Sequence, residues 1–176
     1  VMASLKNELL EWLLAGEPWV VYNTLTDLLD KDERDKGVVV AKNAIPQHPL
    51  IKKIFRGLNK EGYWGTPKDI HTWWPKKDTT FWILPMLADF GFTVEDTRIA
   101  RACEYVLSTQ LPNGGFGWDP QTTASDCHSA IITESLAKLG QLGDHRLLKA
   151  YEWLTQRQRL DGGFWCKNTA QIGGPR

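Results

Sequence analysis

Asp126, Cys127 and His128 stand side by side in the chain. Their side chains are the three kinds that bind zinc, and a Cys with a His can also act as a thiolate nucleophile with its base. The spacing argues against both uses. Successive residues on a helix point about 100° apart, so Cys127 and His128 do not readily share one metal ion, and His128 faces away from the Cys127 thiol. Cys166 and His71 complete a metal site only if the fold gathers them. The simpler expectation makes Asp126 the N-cap of a helix and packs Cys127 inward as a small apolar side chain. No metal or other cofactor is expected; zinc is the ion that this donor set would take.

A second group of residues lies between 60 and 78, where glycines, prolines and aromatics are dense. Trp73, Trp74, Trp82 and Trp118, with His71, are candidates to line a cavity for an apolar or cationic ligand, because an aromatic ring face attracts positive charge. Asp78 is the acid beside them that would serve as a proton donor. With Thr79 and Thr80 it also fits the cap of the helix that follows. The chain contains no Gly-x-Gly-x-x-Gly fingerprint, no P-loop and no Gly-x-Ser-x-Gly elbow.

Composition excludes several classes of function. Lys+Arg and Asp+Glu are both 21 in 176 residues, so the net charge is zero, unlike the basic footprint of a nucleic-acid binder. No apolar run approaches the roughly 20 residues of a membrane span. Lys6, Glu8 and Glu11 interrupt the N-terminal apolar stretch, which therefore does not read as a signal peptide. Cys103, Cys127 and Cys166 are irregularly spaced and form no disulfide framework, so a reduced cytoplasmic setting is expected. Nine tryptophans in a chain of this length point to a core, a groove or an interface built from large amphipathic rings.

Periodicity supplies the elements that would position these groups. Leu5, Leu9, Trp12 and Leu13 share a helical face that stops at Gly16, and Pro18 suits the first turn of a second helix. Residues 30–37 read as a charged loop. Val38-Val39-Val40-Ala41 reads as a helix start, with a short strand as the alternative. Leu50, Ile51, Ile54, Phe55 and Leu58 mark the next helix. Thr80 to Phe90 is apolar nearly all round and should be an inner helix, with Pro85 either kinking it or leaving one carbonyl unpaired. Residues 97–110 form its amphipathic partner. The pair 129–139 and 145–158 repeats the plan.

Between those pairs the chain repeats itself at a constant offset of 48. Arg101-Ala102, Tyr105-Val106, Gln110, Asn113-Gly114-Gly115-Phe116 becomes Lys149-Ala150, Trp153-Leu154, Gln158, Asp161-Gly162-Gly163-Phe164. A period of that size indicates stacked supersecondary units. The glycines allow a positive-φ exit from the outer helix, and Asn113 and Asp161 can bond their own backbone to fix the turn. Phe116 and Phe164 cover it. Gln110 and Gln158 can offer their amides to backbone groups left open at the helix end. Leu58-x-x-Glu61-Gly62-Tyr63-Trp64 is a degenerate third copy without the glutamine.

The pattern [Lys/Arg]-[Gly/Ala]-x-x-aromatic-aliphatic-x-x-x-Gln-x-x-x-Gly-x-aromatic resembles the QW repeat of squalene and oxidosqualene cyclases and of related prenyltransferase–squalene oxidase repeat proteins, over roughly residues 45–165. Phe116 and Phe164 stand where that family most often has Trp. The resemblance implies an all-α fold of repeated helical hairpins forming a partial (α/α) toroid. It treats residues 1–176 as one domain (1–45 N-terminal helices, 46–78 degenerate repeat and aromatic loop, 79–125 repeat, 126–176 repeat and tail) within a larger toroid. It also implies an inner aromatic face for an apolar, isoprenoid-like ligand or a protein partner, the latter being the rest of a longer chain or a second copy. Two departures matter. The acid motif Asp-x-Asp-Asp that hopene-type cyclases use for protonation does not occur, and a toroid of about six hairpins would be only half supplied. The expectation is therefore a cyclase-like repeat domain without cyclase activity. Protein prenyltransferases bind zinc through Asp, Cys and His on a similar barrel, so a metal-assisted prenyl-transfer or hydrolytic site at Asp126, Cys127 and His128 is one alternative; a pure interaction module is another.

Overall fold

A computed structural model of the chain describes residues 2–68, 72, 76–117 and 123–164, and every regular element among them is helical. The chain divides into two compact units, Val1–Arg56 and Gly57–Arg176.

The first unit holds α1 (Met2–Leu14), α2 (Pro18–Asn23), α3 (Lys36–Ala44) and α4 (Pro49–Arg56). Pro18 opens α2, where its missing N–H costs nothing. The helix then widens into a π-turn over Thr24–Leu28. There the Thr24 and Thr26 hydroxyls donate back to the Val20 and Tyr22 carbonyls, competing with the regular ladder. The Val38–Ala41 run is helical. α3 begins at Lys36, inside the stretch expected to be loop, because the Asp35 carboxylate accepts from the Gly37 N–H at 2.8 Å. Val38, Ala41 and Ile45 are buried. Glu33 is held by the Tyr22 hydroxyl at 2.7 Å and by Lys42 at 3.0 Å.

The second unit holds α5 (Thr80–Asp89), α6 (Thr97–Ser108), α7 (Asp126–Lys138) and α8 (His145–Arg157). α5 and α7 pack side by side, and α8 packs on α7. Ion pairing and a side-chain amide tie α6 to α8. Glu104 takes the Arg146 guanidinium in a two-point fork at 2.8 and 2.7 Å, and Gln110 Nε2 donates to the Arg146 carbonyl at 2.7 Å. Pro85 sits inside α5 without ending it. Having no N–H, it gives the Phe81 carbonyl no helical donor. Each of α5 and α7 ends in a positive-φ glycine, Gly91 and Gly140, with the following N–H returning to Leu87 and Leu136.

α6 and α8 start identically. Asp96 and Asp144 cap their helices by accepting from the N–H of Arg98 and Arg146, and each also takes its own arginine's guanidinium. The loops that precede them are joined as well, since Val94 donates to Leu139 at 2.9 Å.

The turns of the three sequence copies have one geometry. Asn59, Leu111 and Arg159 donate to Tyr63, Gly115 and Gly163, while Gly62, Gly114 and Gly162 adopt φ of 105°, 97° and 84°. Asn113 and Asp161 accept from the N–H two residues on, at 3.0 Å in both copies. In the degenerate copy Asn59 does this work, accepting from Glu61, Gly62 and Tyr63. Gln110 and Gln158 both donate to the carbonyl of the first glycine, Gly114 at 2.8 Å and Gly162 at 2.9 Å.

Candidate functional site

Among the described residues the α5–α7 layer carries Trp82, Asp126, Cys127 and His128, and each of its two helices bears an exposed stripe. On α5, Trp82 and Asp89 are exposed and seven residues apart, which places them on the same side. On α7, Cys127, Ile131, Glu134 and Lys138 form the exposed stripe. Lys138 Nζ binds Asp89 and Glu134, each at 2.8 Å, so the two stripes lie on the same side of the layer. These carboxylates push the Lys138 ammonium well above its ordinary range. The Asp89–Lys138 pair joins the C-terminal ends of both helices. Two turns back, on the same face, stand Trp82, 44% exposed, and Ile131, 38% exposed. The face is therefore apolar toward the helix N-termini and ionic toward the C-termini.

Behind this face the described side chains pack closely. Phe81 lies against the His128 ring at 4.6 Å between centroids. The cavity lined by Thr80, Phe81, Leu84, Pro85, Val106, Ile132 and Ser135 measures about 10 Å³, no more than one water molecule needs. An apolar ligand has no room in that cavity.

Several expected roles change. α7 starts at Asp126, with Ser125 rather than Asp126 in the N-cap position. Asp126 is buried, and its Oδ1 accepts from the Arg157 Nε at the far end of α8. The Arg157 guanidinium in turn lies 4.8 Å from the Trp153 ring centre. Asp126 Oδ2 is buried without a hydrogen-bond partner among the described residues. Cys127 does not pack inward; it is exposed, with its Sγ 3.2 Å from the Ser125 Oγ. His128 takes the inward position instead, 2% exposed. Its Nδ1 is 3.9 Å from the Cys127 Sγ, longer than the roughly 2.6–3.2 Å reach of a proton-transferring pair. Among the described residues no three His, Cys, Asp or Glu side chains gather to hold a metal ion.

Asp78 is exposed and precedes the α5 N-cap, Thr79, whose hydroxyl donates to the Thr72 carbonyl instead of capping. His71, Trp73, Trp74, Trp118 and Cys166 lie outside the described residues. Of the turn residues, Phe116 is fully buried whereas Phe164 is 46% exposed.

One device escaped the sequence reading. The Ser129 hydroxyl accepts from the Phe116 N–H and donates to the Phe116 carbonyl, at 2.8 and 3.2 Å. Thr80 does the same for Trp64, at 2.9 and 3.4 Å. The aromatics of the first two turns, Trp64 and Phe116, are thus each pinned by a hydroxyl from the first turn of the next inner helix. A Ser or Thr 13 to 16 residues beyond the aromatic was the available signal.

Two curated proteins share stretches of sequence with this chain. Alpha-onocerin synthase LCD of Lycopodium clavatum is 43% identical over 56 residues, covering 32% of this chain and 6% of that protein. Enfumafungin synthase efuA of Hormonema carpetanum is 34% identical over 99 residues, covering 54% of this chain and 7% of that protein. The matched stretches span less than a tenth of either relative. They support a cyclase-like relationship over those lengths. No family model matches the chain, and no solved structure matches it. Among the described residues no helix is long and apolar enough to cross a membrane.

Proposed function

We propose that this chain is a terpenoid-cyclase-like repeat domain, part of an (α/α) toroid built on QW-type turns. Its α5–α7 face takes an apolar, isoprenoid-like chain, and the domain does not itself cyclise it. The exposed Trp82 and Ile131 carry this reading, since among the described residues the cavity behind them holds no more than about one water molecule. The shared stretches with two synthases agree with it. Of the two candidate acids, Asp126 is engaged by Arg157 and Asp78 stands in solvent, which agrees with the absence of cyclisation in this reading.

Calorimetric titration with geranylgeraniol in a non-ionic detergent tests the binding half. Saturable binding that weakens at least tenfold in both Trp82→Ala and Ile131→Asp is expected. Equal affinity in wild type and both variants would remove the face from consideration. Incubation with squalene or oxidosqualene tests the catalytic half, and a cyclic product would sink it.

A further inference from the structure

The two full copies of the repeat are alike in sequence and unlike in what covers them. Glu104 on α6 grips Arg146, which opens α8; its counterpart Glu152, at the offset of 48, is exposed and lines an open concavity on α8. That concavity, about 430 Å³, is lined among the described residues by Leu148, Tyr151, Glu152, Thr155 and Gln156. Cys103 and Leu107 on α6 are buried, yet their counterparts Tyr151 and Thr155 are exposed.

The turn tells the same story. A Cβ on Gly62 would lie 2.5 Å from the Arg101 carbonyl oxygen, and one on Gly114 would lie 2.7 Å from the Lys149 carbonyl oxygen. Each turn is therefore pressed against the basic residue of the next Arg/Lys-Ala pair. A Cβ on Gly162 would meet nothing within 4 Å. Gln110 reaches both its own turn and the Arg146 carbonyl, whereas Gln158 is bonded to its own turn at Gly162. Three independent contacts of the first copy, an ion pair, an amide bond and a glycine seat, thus have their receiving halves in place on the second.

We infer that the α8 face around Glu152, with the Gln158–Gly162 turn, is a docking seat for a further amphipathic helix of the same kind. That helix begins Asp-x-Arg and carries a basic residue followed by Ala, as Asp96-Thr97-Arg98 with Arg101-Ala102 and Asp144-His145-Arg146 with Lys149-Ala150 do here. Its arginine forks onto Glu152, its arginine carbonyl takes the second Gln158 proton, and its basic residue's carbonyl rests on Gly162. Its apolar side covers Leu148 and Tyr151.

The test titrates the isotope-labelled 176-residue protein with a lactam-locked helical peptide of sequence 144–158, followed by amide and side-chain NMR. Locking removes the cost of helix nucleation, so a weak signal cannot be blamed on an unfolded probe. Saturable shifts are expected at Gly162, Gly163 and the Gln158 side-chain amide, at peptide concentrations up to about 1 mM. Glu152→Arg in the protein should weaken binding at least tenfold, and a peptide with Arg146→Glu should restore it. No shift at 1 mM, or binding indifferent to the charge swap, overturns the inference. Shifts at the same amides that follow the protein's own concentration, with none from the peptide, assign the seat to a second copy and overturn it too.

Discussion

Ser129 and Phe116 exchange two hydrogen bonds through one hydroxyl, at 2.8 Å to the Phe116 N–H and 3.2 Å from its carbonyl, and both residues are fully buried. This is the point where the repeat turn is fastened to the following inner helix. Ser129→Ala leaves a buried N–H and C=O without their partner, which costs about 1–3 kcal/mol. Urea unfolding should show the unfolding free energy falling by that amount, as a lower midpoint with an unchanged slope. Thr80→Val, which keeps the volume and loses the hydroxyl, should behave likewise through Trp64. Near-neutral outcomes in both would show that the hydroxyl clamp is dispensable.

Gly114 and Gly162 share a backbone conformation and differ in surroundings. Alanine at either position is strained by its positive φ, at about 1–2 kcal/mol. At Gly114 the new methyl is also driven to 2.7 Å from the Lys149 carbonyl. Gly114→Ala should therefore lower the thermal midpoint clearly more than Gly162→Ala. Equal losses would mean that the α8 backbone yields freely to the turn.

Acid should loosen the α6–α8 junction. The Arg146 side chain bonded to Asp144 holds that carboxyl down from 3.8 to about 2, and Glu104 is lowered by the same arginine. A carboxylate whose folded value is depressed contributes stability that is whole above its unfolded value and is lost as pH falls through the folded one. Thermal midpoints of the wild type should thus fall between about pH 4 and pH 2. Asp144→Asn should start lower and lose less across that window. Parallel curves would detach the effect from Asp144.

The two described cysteines should react very differently. Burial pushes the Cys103 thiol up to about 12, and the residue has no exposed surface, while Cys127 is open to solvent. In a Cys166→Ser background, a thiol-specific chromogenic reagent should modify one equivalent quickly at Cys127. Cys103 should be released only on unfolding. Fast modification of two equivalents in the native state would contradict its burial.

The helices and the repeat turn were legible because they rest on strong local signals: Asp N-caps, positive-φ glycines and clean amphipathic stripes on α6 and α8. The sidedness of α7 was not. Its buried face carries Ser129, Thr133 and Ser135 among Ile132 and Leu136, so polarity does not distinguish inside from outside. That is why Cys127 reads as inward and is not. The charge fork between Glu104 and Arg146 spans 42 residues, and only the folded hairpins bring it together. The open Trp82–Ile131 face needed both helices in register before it existed as a surface.

Two joints recur in the same places, a turn glycine seated on the carbonyl of the next basic residue, at Gly62 and Gly114, and a hydroxyl on the turn aromatic, at Trp64 and Phe116. A segment of 48 residues is therefore the modular length of the two full copies. Copied in frame, it brings its own cap, its own turn and its own half of every joint. Gene duplication can then lengthen or shorten such an array without redesigning any neighbour.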